Sequence, residues 1–118
     1  DLMGQENAES AGSRQLSGIG GQMDFLEGAF RSRGGRGYIC INSSRRDKEG
    51  NLRSNIVPTI PGGSTISVPR TMVECVATEY GVAHLHGLSL GERAAAMAAI
   101  AHPDFREELL QYAKDNFH

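Results

Sequence analysis

The sequence predicts an α/β fold in one domain, and three observations lead to that prediction. The chain has 118 residues, enough for one hydrophobic core, since domains of about 100–150 residues are the commonest size. In its first two thirds, short apolar runs alternate with glycine-rich turns, which is typical of short strands. In its last third, apolar residues recur at helical spacing over two consecutive segments.

Composition narrows the class of protein further. Hydrophobic residues make up 39% and charged residues 22% of the chain, which excludes a fully disordered protein. Glycine is over-represented at 15 residues, so loops shaped by the backbone are expected to matter. No apolar run approaches the roughly 18–20 residues that cross a bilayer, and no signal-peptide pattern opens the chain. We therefore expect a soluble, cytoplasmic protein that does not bind membranes.

The first elements follow from glycine positions and apolar spacing. Residues 1–16 are polar without a sustained period, so no helix is predicted there. Glycines within residues 18–21 form a turn that opens a short helix over residues 22–30, on which Met23, Leu26 and Phe30 share one face. The glycines of residues 33–36 end that helix. Residues 38–42 form an apolar run typical of a buried strand.

The middle of the chain predicts shorter elements. Residues 43–54 are polar and contain a turn signal, so a loop that reverses the chain is expected. Residues 55–60 and 64–68 are β-like around Pro61, which indicates a hairpin or two short edge strands. Residues 72–77 are predicted as a strand that leads into a functional turn at residues 78–81. We expect the strands to be short and mostly parallel.

Two helices with clear boundaries close the chain. Ser89 and Glu92 have the spacing of a capping box and place the first helical turn at Leu90. Pro103 suits the first position of the second helix. The apolar faces consist of Leu90, Ala94, Met97 and Ala101 in the first helix and of Phe105, Leu109 and Tyr112 in the second. Both helices are predicted to be structural.

Positive charge is concentrated in the middle of the chain. Residues 31–53 carry seven basic and two acidic side chains, whereas the whole chain has a net charge of −2. This asymmetry indicates an anionic ligand, with a solvated loop as the alternative reading of residues 45–53. Nucleic acid is disfavoured because the chain is acidic overall, lacks Trp and does not interleave aromatic with basic residues.

The glycine turn at residues 18–21 is the strongest local signal for function. Glycines at a helix start expose backbone N–H groups and let a ligand approach, which suits a phosphate or a developing oxyanion. A purely structural turn is the alternative. The dinucleotide-binding fingerprint fails at its third glycine, where Met23 stands, and the Lys-Ser/Thr pair of a P-loop is absent.

Glu79 is the second candidate. It follows an apolar strand, where ligand sites of α/β proteins lie, so we expect a partly desolvated carboxylate. A structural salt bridge is the alternative.

No metal site is predicted. His84 and His86 would share one side of an extended segment, but His102 lies at a helix junction and His118 is terminal, so neither completes a ligand set. Cys40 and Cys75 sit in apolar runs, which predicts buried, reduced thiols. The serines show no pattern of a serine hydrolase.

Several strings of the sequence together resemble the C-terminal domain of the acetyl-CoA hydrolase/transferase family. They are DLMGQ (residues 1–5), GIGGQMDF (18–25), RGG (33–35), IVP (56–58), VATEYG (76–81), GLSLGERA (87–94) and IAHPDFR (100–106). The resemblance spans the chain from residue 1 to the last helix. It implies an incomplete second domain of a CoA-transferase-like (NagB/RpiA-like) α/β fold with two C-terminal helices, over residues 1–118 and truncated at its N-terminal side.

The resemblance also implies a reaction. A glutamate carboxylate attacks an acyl-CoA and gives an acyl-glutamyl anhydride, then a glutamyl-CoA thioester that an acceptor acid resolves. In the family that glutamate precedes the GxGGQxDF motif, so the resemblance places it outside this chain and implies that the chain alone is inactive. The resemblance further implies that coenzyme A is a substrate, and we expect no permanently bound cofactor and no metal.

Residue by residue, the resemblance carries over a few roles. Gly21 matches the glycine whose backbone lies at the thioester region, with Gly20 and Ser17 beside it in the CoA-binding turn. Arg33 matches a basic residue that contacts CoA in related enzymes. Glu79 matches the glutamate of a Thr-Glu-x-Gly motif near the active centre, an auxiliary carboxylate rather than the nucleophile.

The expected partners are an acyl-CoA, a small carboxylic acid, the missing N-terminal part of the same enzyme and further copies of it. Self-association is expected because a fragment leaves apolar surface uncovered. Two other functions stay open at this point. One is acyl-CoA hydrolysis by the same framework, and the other is a non-catalytic module that binds CoA or another anion.

Overall fold

The computed structural model describes residues 1–117, which contain three helices and seven short strands. In chain order they are β1 (Ser10–Ala11), β2 (Arg14–Gln15), α1 (Gln22–Arg31), β3 (Tyr38–Cys40), β4 (Ser44–Arg46), β5 (Leu52–Ser54), β6 (Cys75–Thr78), β7 (Gly81–His84), α2 (Leu90–Ala99) and α3 (Pro103–Asn116). The α/β prediction is confirmed, as is the absence of a helix before residue 17.

A three-stranded sheet with the order β3-β6-β7 lies at the centre. Strands β3 and β6 are parallel, with Ile39 opposite Val76, whereas β6 and β7 are antiparallel, with Val76 opposite Ala83. The remaining pairs of described strands are antiparallel too, so the prediction of mostly parallel strands is wrong. The physical reason is connection length, because short turns join these strands and a parallel pair needs a long crossover.

The polar segment at residues 43–54 does reverse the chain, but the loop predicted there is a hairpin of β4 and β5. The Asp47 side chain organises its turn, because Oδ1 accepts the N–H groups of Glu49 and Asn51 and Oδ2 accepts from Arg53 Nε. Conversely, the strands predicted at residues 55–60 and 64–68 do not form. Only Val68 makes a β-bridge there, to Glu6, since Pro58 and Pro61 lack the N–H donors that a ladder requires.

The C-terminal helices begin where the sequence predicts. Ser89 Oγ accepts from Glu92 N at 3.4 Å, and Glu92 Oε2 accepts from Ser89 N at 2.8 Å, which completes the capping box. Pro103 is the first residue of α3. Helices α2 and α3 pack against each other, and α2 also packs on β7. Leu90, predicted on the inner face, is 40% exposed.

A buried arginine joins distant parts of this core. Arg93 is 8% exposed and donates to three backbone carbonyls, those of Met3 (3.0 Å), Leu85 (3.0 Å) and Arg70 (2.8 Å). Burial lowers its pKa, but an arginine stays protonated. Gly4 lies against it at φ +92°, and a Cβ there would come within 2.9 Å of the guanidinium. The N-terminal segment is thus anchored to α2.

The two cysteines differ in exposure. Cys75 is buried as predicted, but Cys40 is exposed, so the prediction for Cys40 is wrong. Side chains alternate along a strand, and β3 turns Ile39 inward while its neighbours Tyr38 and Cys40 face outward. The predicted buried strand is therefore buried at one residue only. None of the helices described in residues 1–117 has the length and apolarity that a membrane crossing requires.

Candidate functional site

The glycine turn ends at the first helix and is open to solvent. Residues 17–21 are all exposed, Gly20 has a φ of +63°, and Gly21 is the N-cap of α1 with φ −96°. No side chain caps this helix. Ser17 Oγ instead donates to the Gly18 carbonyl at 3.2 Å. The first N–H groups of α1 are therefore available to a ligand, since helix starts leave these donors without backbone partners.

The space around the turn is open as well. A Cβ at Gly20 would meet nothing within 4 Å, and one at Gly21 would meet only ring carbons of Phe25, at 3.9 Å. The backbone at Gly21 is in a region that other residues adopt, whereas Gly20 needs its positive φ. Gly20 thus shapes the turn, and Gly21 leaves free the space in front of the helix.

The turn is fixed from one side by the N-terminal segment. The backbone N–H groups of Leu16 and Ser17 both donate to the Glu9 carbonyl, at 2.8 and 3.1 Å. Gln22 Nε2 donates to Glu6 Oε1 at 2.8 Å, which ties the start of α1 to the same segment. Burial raises the pKa of Glu6. Gln22 lies in the GIGGQMDF string, but nothing in the sequence pattern indicates Glu6 or its contact with Gln22 across 16 positions.

Arg33 lies at the other end of α1. The helix has ten residues and its C-cap is Ser32, so a rise of 1.5 Å per residue separates Arg33 from Gly21 by roughly 15 Å or more. The Arg33 side chain is exposed. In contrast, Arg31 is held by Glu27 at 2.6 Å and Arg53 by Asp47 at 2.9 Å. The structure therefore places Arg33 and the glycine turn at opposite ends of one helix, not in one cluster.

Glu79 lies in the two-residue turn between β6 and β7 and contacts Ser43. Both carboxylate oxygens accept from Ser43 N, at 3.2 and 3.0 Å, and Oε1 also accepts from Ser43 Oγ in a short hydrogen bond. These hydrogen bonds lower the pKa of Glu79. The expectation of a partly desolvated carboxylate is wrong, because Glu79 is exposed and its partners favour the ionised form.

The sequence did not predict the contact between Ser43 and Glu79. Ser43 is one of the serines without a serine-hydrolase pattern, so no role was predicted for it. The available signal was its position directly after the strand of residues 38–42, because the carboxyl ends of parallel neighbours meet at one edge of a sheet. Without knowledge that β3 pairs with β6, that signal could not be connected to Glu79.

A cavity of about 460 Å³ lies between the N-terminal segment and the segment after β5. Its apolar lining includes Ile39, Ile41, Ile56, Val57 and Val76. Polar residues also line it, among them Glu6, Asn7, Arg45 and Asn55. Glu6 lines this cavity and also accepts from Gln22 at the start of α1.

His84 and His86 contact different partners and do not share a site. His84 Nδ1 lies 3.2 Å from Cys75 Sγ across β6 and β7, and the ring of His86 packs edge-on against Phe30 at 6.3 Å between centroids. Within residues 1–117 no three His, Cys, Asp or Glu side chains are grouped as metal ligands. His118, which the sequence analysis considered, lies outside the described residues.

Comparisons with known proteins give a consistent result. A family model described as "Acetyl-CoA hydrolase/transferase C-terminal domain" matches residues 1–113. The butyryl-CoA:acetate CoA-transferase of Anaerostipes caccae is 46% identical over 114 residues, covering 97% of this chain and 26% of that protein. The 4-hydroxybutyrate coenzyme A transferase of Clostridium kluyveri is 47% identical over 117 residues, covering 99% of this chain and 27% of that protein.

A solved structure agrees with these relatives. The crystal structure of RipA from Yersinia pestis superimposes with a TM-score of 0.83 at 43% identity, covering 98% of this chain and 25% of that one. The chain thus spans about a quarter of the length of the relatives it matches.

Proposed function

The chain belongs to the acetyl-CoA hydrolase/transferase family, and from this premise we propose that it is the C-terminal domain of an enzyme that transfers CoA from an acyl-CoA to a small carboxylate. The observation that carries the proposal is the open, uncapped start of α1 behind the family's glycine motif. A helix start with free N–H groups can stabilise negative charge on a carbonyl oxygen. Coenzyme A takes part as a substrate, and the proposal requires neither a metal nor a permanently bound cofactor.

The proposed reaction proceeds through a glutamate outside residues 1–118. Its carboxylate attacks the acyl-CoA carbonyl, releases the CoA thiolate and forms an acyl-glutamyl anhydride. The thiolate then attacks the glutamyl carbonyl and releases the first acid, which leaves a glutamyl-CoA thioester. The acceptor carboxylate attacks the glutamyl carbonyl of that thioester, releases the CoA thiolate and forms a second acyl-glutamyl anhydride. The thiolate then attacks the acyl carbonyl of this anhydride, which gives the second acyl-CoA and frees the glutamate carboxylate. Each exchange is thereby divided into easier steps.

Gly21 has the main role that we assign to this domain. In each step, charge develops on a carbonyl oxygen, and the backbone N–H at the turn is proposed to donate to it. Gly21 has no Cβ that would occupy the position of the thioester, and Phe25 is its nearest side chain, 3.9 Å from where a Cβ would lie. Ser17 and Gly20 complete the turn that we propose contacts the CoA end of the substrate.

Arg33 is proposed to contact the phosphate side of CoA. CoA is an extended molecule, so a basic side chain at the far end of α1 can bind a phosphate while the thioester lies at the glycine turn. The positive charge of residues 31–53 supports this assignment. Arginine donates to phosphate through a planar fork of N–H groups, which gives orientation as well as charge.

Glu79 is proposed as an auxiliary carboxylate and not as the nucleophile. Its hydrogen bonds to Ser43 lower its pKa and stabilise the carboxylate, and they occupy both oxygens. A carboxylate whose charge is stabilised by these donors is a weaker nucleophile, and its exposed oxygens keep lone pairs for a further hydrogen bond.

Hydrolysis is the second candidate reaction. The matching family contains both hydrolases and transferases, and in a hydrolase water would replace the acceptor acid. A non-catalytic module that binds CoA or another anion would keep the glycine turn alone. The cytoplasmic location stays a prediction.

One experiment separates these functions. Exchange of label between an acyl-CoA and a free carboxylate would be measured with the polypeptide that contains this domain, alongside free CoA release in the absence of acceptor. We expect acceptor-dependent exchange. CoA release independent of any acceptor indicates a hydrolase, and CoA-dependent thermal stabilisation without turnover indicates a binding module.

Trapping tests where the nucleophile lies. Borohydride or hydroxylamine would be added during turnover with an acyl-CoA, and the labelled peptide would be identified by mass spectrometry. We expect the label on a glutamate outside residues 1–118. A stoichiometric label on Glu79 would show that the nucleophile has been assigned wrongly.

Association with more of the same enzyme is also proposed. Phe25 and Phe30 on α1 are 81% and 68% exposed, and Leu16 before it is 62% exposed. Apolar side chains at this density are typical of surfaces that contact other protein. The proposed partners are the rest of the polypeptide and further copies of the enzyme, and a concentration-independent monomer in sedimentation would contradict the homo-oligomer.

A further inference from the structure

Ser43 and Glu79 meet because two parallel strands end side by side. Ser43 follows β3 and Glu79 follows β6, and the two residues are 36 positions apart in the chain. Ser43 has no exposed surface. Its N–H and its hydroxyl both donate to the Glu79 carboxylate. A fully buried serine thus directs both of its donors to one exposed side chain.

Both members of this pair are held by further contacts. The Ser43 carbonyl accepts from Asn55 N at 2.8 Å. On the other side, Thr78 Oγ1 donates to the Ile100 carbonyl at 2.7 Å and accepts from Tyr80 N at 3.1 Å, which fixes the turn around Glu79. The carboxylate therefore has a defined orientation.

Solvation alone does not explain the arrangement. Water would satisfy an exposed carboxylate at a hairpin turn without any protein donor, and exposed charges are otherwise the least restrained side chains on a surface. Three hydrogen bonds from one buried residue restrict both the position and the charge state of Glu79. Such restriction is useful where a carboxylate must be presented to something else.

The neighbouring groups that affect the pKa of Glu79 lower it. The Ser43 donors are the largest cause of its lowered pKa, and His102 adds a smaller attraction. Tyr80 packs edge-on against His102 at 5.8 Å between centroids, and the Arg106 guanidinium lies 5.0 Å from the Tyr80 ring centroid. A carboxyl group that is firmly ionised at neutral pH is a weak general base.

We propose that Ser43 is a positioning residue that holds Glu79 as a fixed, ionised hydrogen-bond acceptor, and that Glu79 orients a donor group during CoA transfer without itself transferring a proton. The proposal rests on the proposed function and assigns a role to a serine that no motif indicates. The donor group that Glu79 would orient belongs either to the CoA substrate or to the part of the enzyme outside this chain.

Two measurements on the Ser43→Ala variant test it in the polypeptide that contains this domain. The first is the NMR titration of the Glu79 side-chain carboxyl, whose midpoint should rise because the largest stabilising donor is gone. The second is the pH profile of acyl exchange. We expect kcat to fall about tenfold with an unchanged KM for CoA, since loss of alignment at a functional group can cost up to about 10² in rate. The loss should deepen on the acidic side of the profile.

Controls separate positioning from general damage. Ser44→Ala removes the neighbouring hydroxyl and should leave both the titration and kcat unchanged. Adding Ser43→Ala to Glu79→Gln should have no further effect on kcat, because the serine acts through that carboxylate. Equal losses from Ser43→Ala with and without the Glu79 carboxylate would overturn the proposal, and so would an unchanged titration midpoint. If the wild-type protein exchanges no acyl groups, the proposed function fails, while the titration still reports whether Ser43 controls Glu79.

Discussion

The starts of helices α1 and α2 are built in opposite ways. At α2, Ser89 and Glu92 donate and accept reciprocally, so each of their backbone N–H groups has a side-chain acceptor. At α1, the N-cap is Gly21 and no side chain accepts from the helix. The faces differ as well, since α2 buries Ala94 and Met97 whereas α1 buries only Leu26.

The difference shows which part of the domain is structural and which part is available for function. The α2 side has a reciprocal cap at its start and buries Arg93, Ala94, Met97 and Ala98 within this chain. The α1 side exposes backbone donors and aromatic side chains that can act only on something outside it. Substitutions near the start of α1 should therefore reduce activity without unfolding the protein, and substitutions around α2 should reduce stability without changing the chemistry.

The largest effect is expected for Gly21→Val in the polypeptide that contains this domain. A branched side chain would occupy the space in front of the helix start, and loss of one oxyanion donor typically lowers kcat by about 10²–10³. The fold should survive, because φ at Gly21 is −96° and the nearest side chain is 3.9 Å from a Cβ there. Steady-state acyl exchange and circular dichroism would measure the two quantities.

Gly28→Ala is the matched control on the same helix. A Cβ at Gly28 meets nothing within 4 Å, so activity should be unchanged. A correctly folded Gly21→Val enzyme with normal kcat would remove the reason for treating the start of α1 as the reacting end.

Arg93→Ala tests the α2 side. It removes three hydrogen bonds to buried or half-buried carbonyls, and hydrogen bonds to charged groups contribute about 1.5–3 kcal/mol each. We expect the free energy of unfolding to fall by on the order of 3 kcal/mol or more, measured by urea denaturation. Lys114→Ala, at an exposed position of α3, should change it little. Normal stability of Arg93→Ala would mean that the N-terminal segment is not anchored through this side chain.

Arg33→Ala should have a smaller effect, confined to binding. The KM for CoA should rise about tenfold, which corresponds to ~1.4 kcal/mol, while kcat stays the same because the site is remote from the reacting carbonyl. The difference from wild type should shrink in high salt, since exposed charges are screened. Arg31→Ala, whose guanidinium pairs with Glu27, is the comparison. A lower kcat with unchanged KM would place Arg33 in the chemistry instead.

Ser89→Ala should cost about 1 kcal/mol of stability, as is usual for loss of an N-cap. Thermal unfolding would show the change, and acyl exchange below the transition should stay normal. A loss of activity in the folded variant would show that the α2 start also serves the reaction, and the contrast between the two helices would then fail.

The smallest effect concerns stability and pH at Glu79. Its pKa is lowered in the folded protein from the ordinary 4.5, so ionised Glu79 stabilises the fold above that value, and this contribution is lost as the pH falls through the folded pKa. Glu79→Gln should therefore lower the melting temperature slightly at pH 7, and the difference should disappear in acid. A difference that grows in acid would mean that the carboxyl is favoured in its neutral form.

How well the sequence predicts each element depends on how far apart in the chain the contacting residues are. Both C-terminal helix boundaries are confirmed because the capping of Ser89 and the fixed φ of Pro103 act over three or four residues. The helix after the glycine turn is confirmed as well, because the spacing that predicts it, of Met23, Leu26 and Phe30, also acts over three or four residues. The hairpin of β4 and β5 was missed because the Asp47 side chain, and not an apolar pattern, holds it together.

At the candidate site, the sequence named candidate residues but did not predict their surroundings. The family motifs marked Gly21, Arg33 and Glu79, and their proposed roles still await the experiments above. The environment expected for Glu79 was wrong because burial cannot be read from the apolar neighbours of a residue in a tight turn. Cys40 was misjudged similarly, since an edge strand buries only one of its two faces.

The sequence by itself determined the class of fold, the family, the glycine turn and the capped helices, because each is written in residues close together or in motifs kept in order. The tertiary structure alone decided that Ser43 reaches Glu79 across 36 positions and that Arg93 reaches Met3 across 90. Those contacts depend on which strands pair and how the chain returns to them, and no local propensity specifies that path.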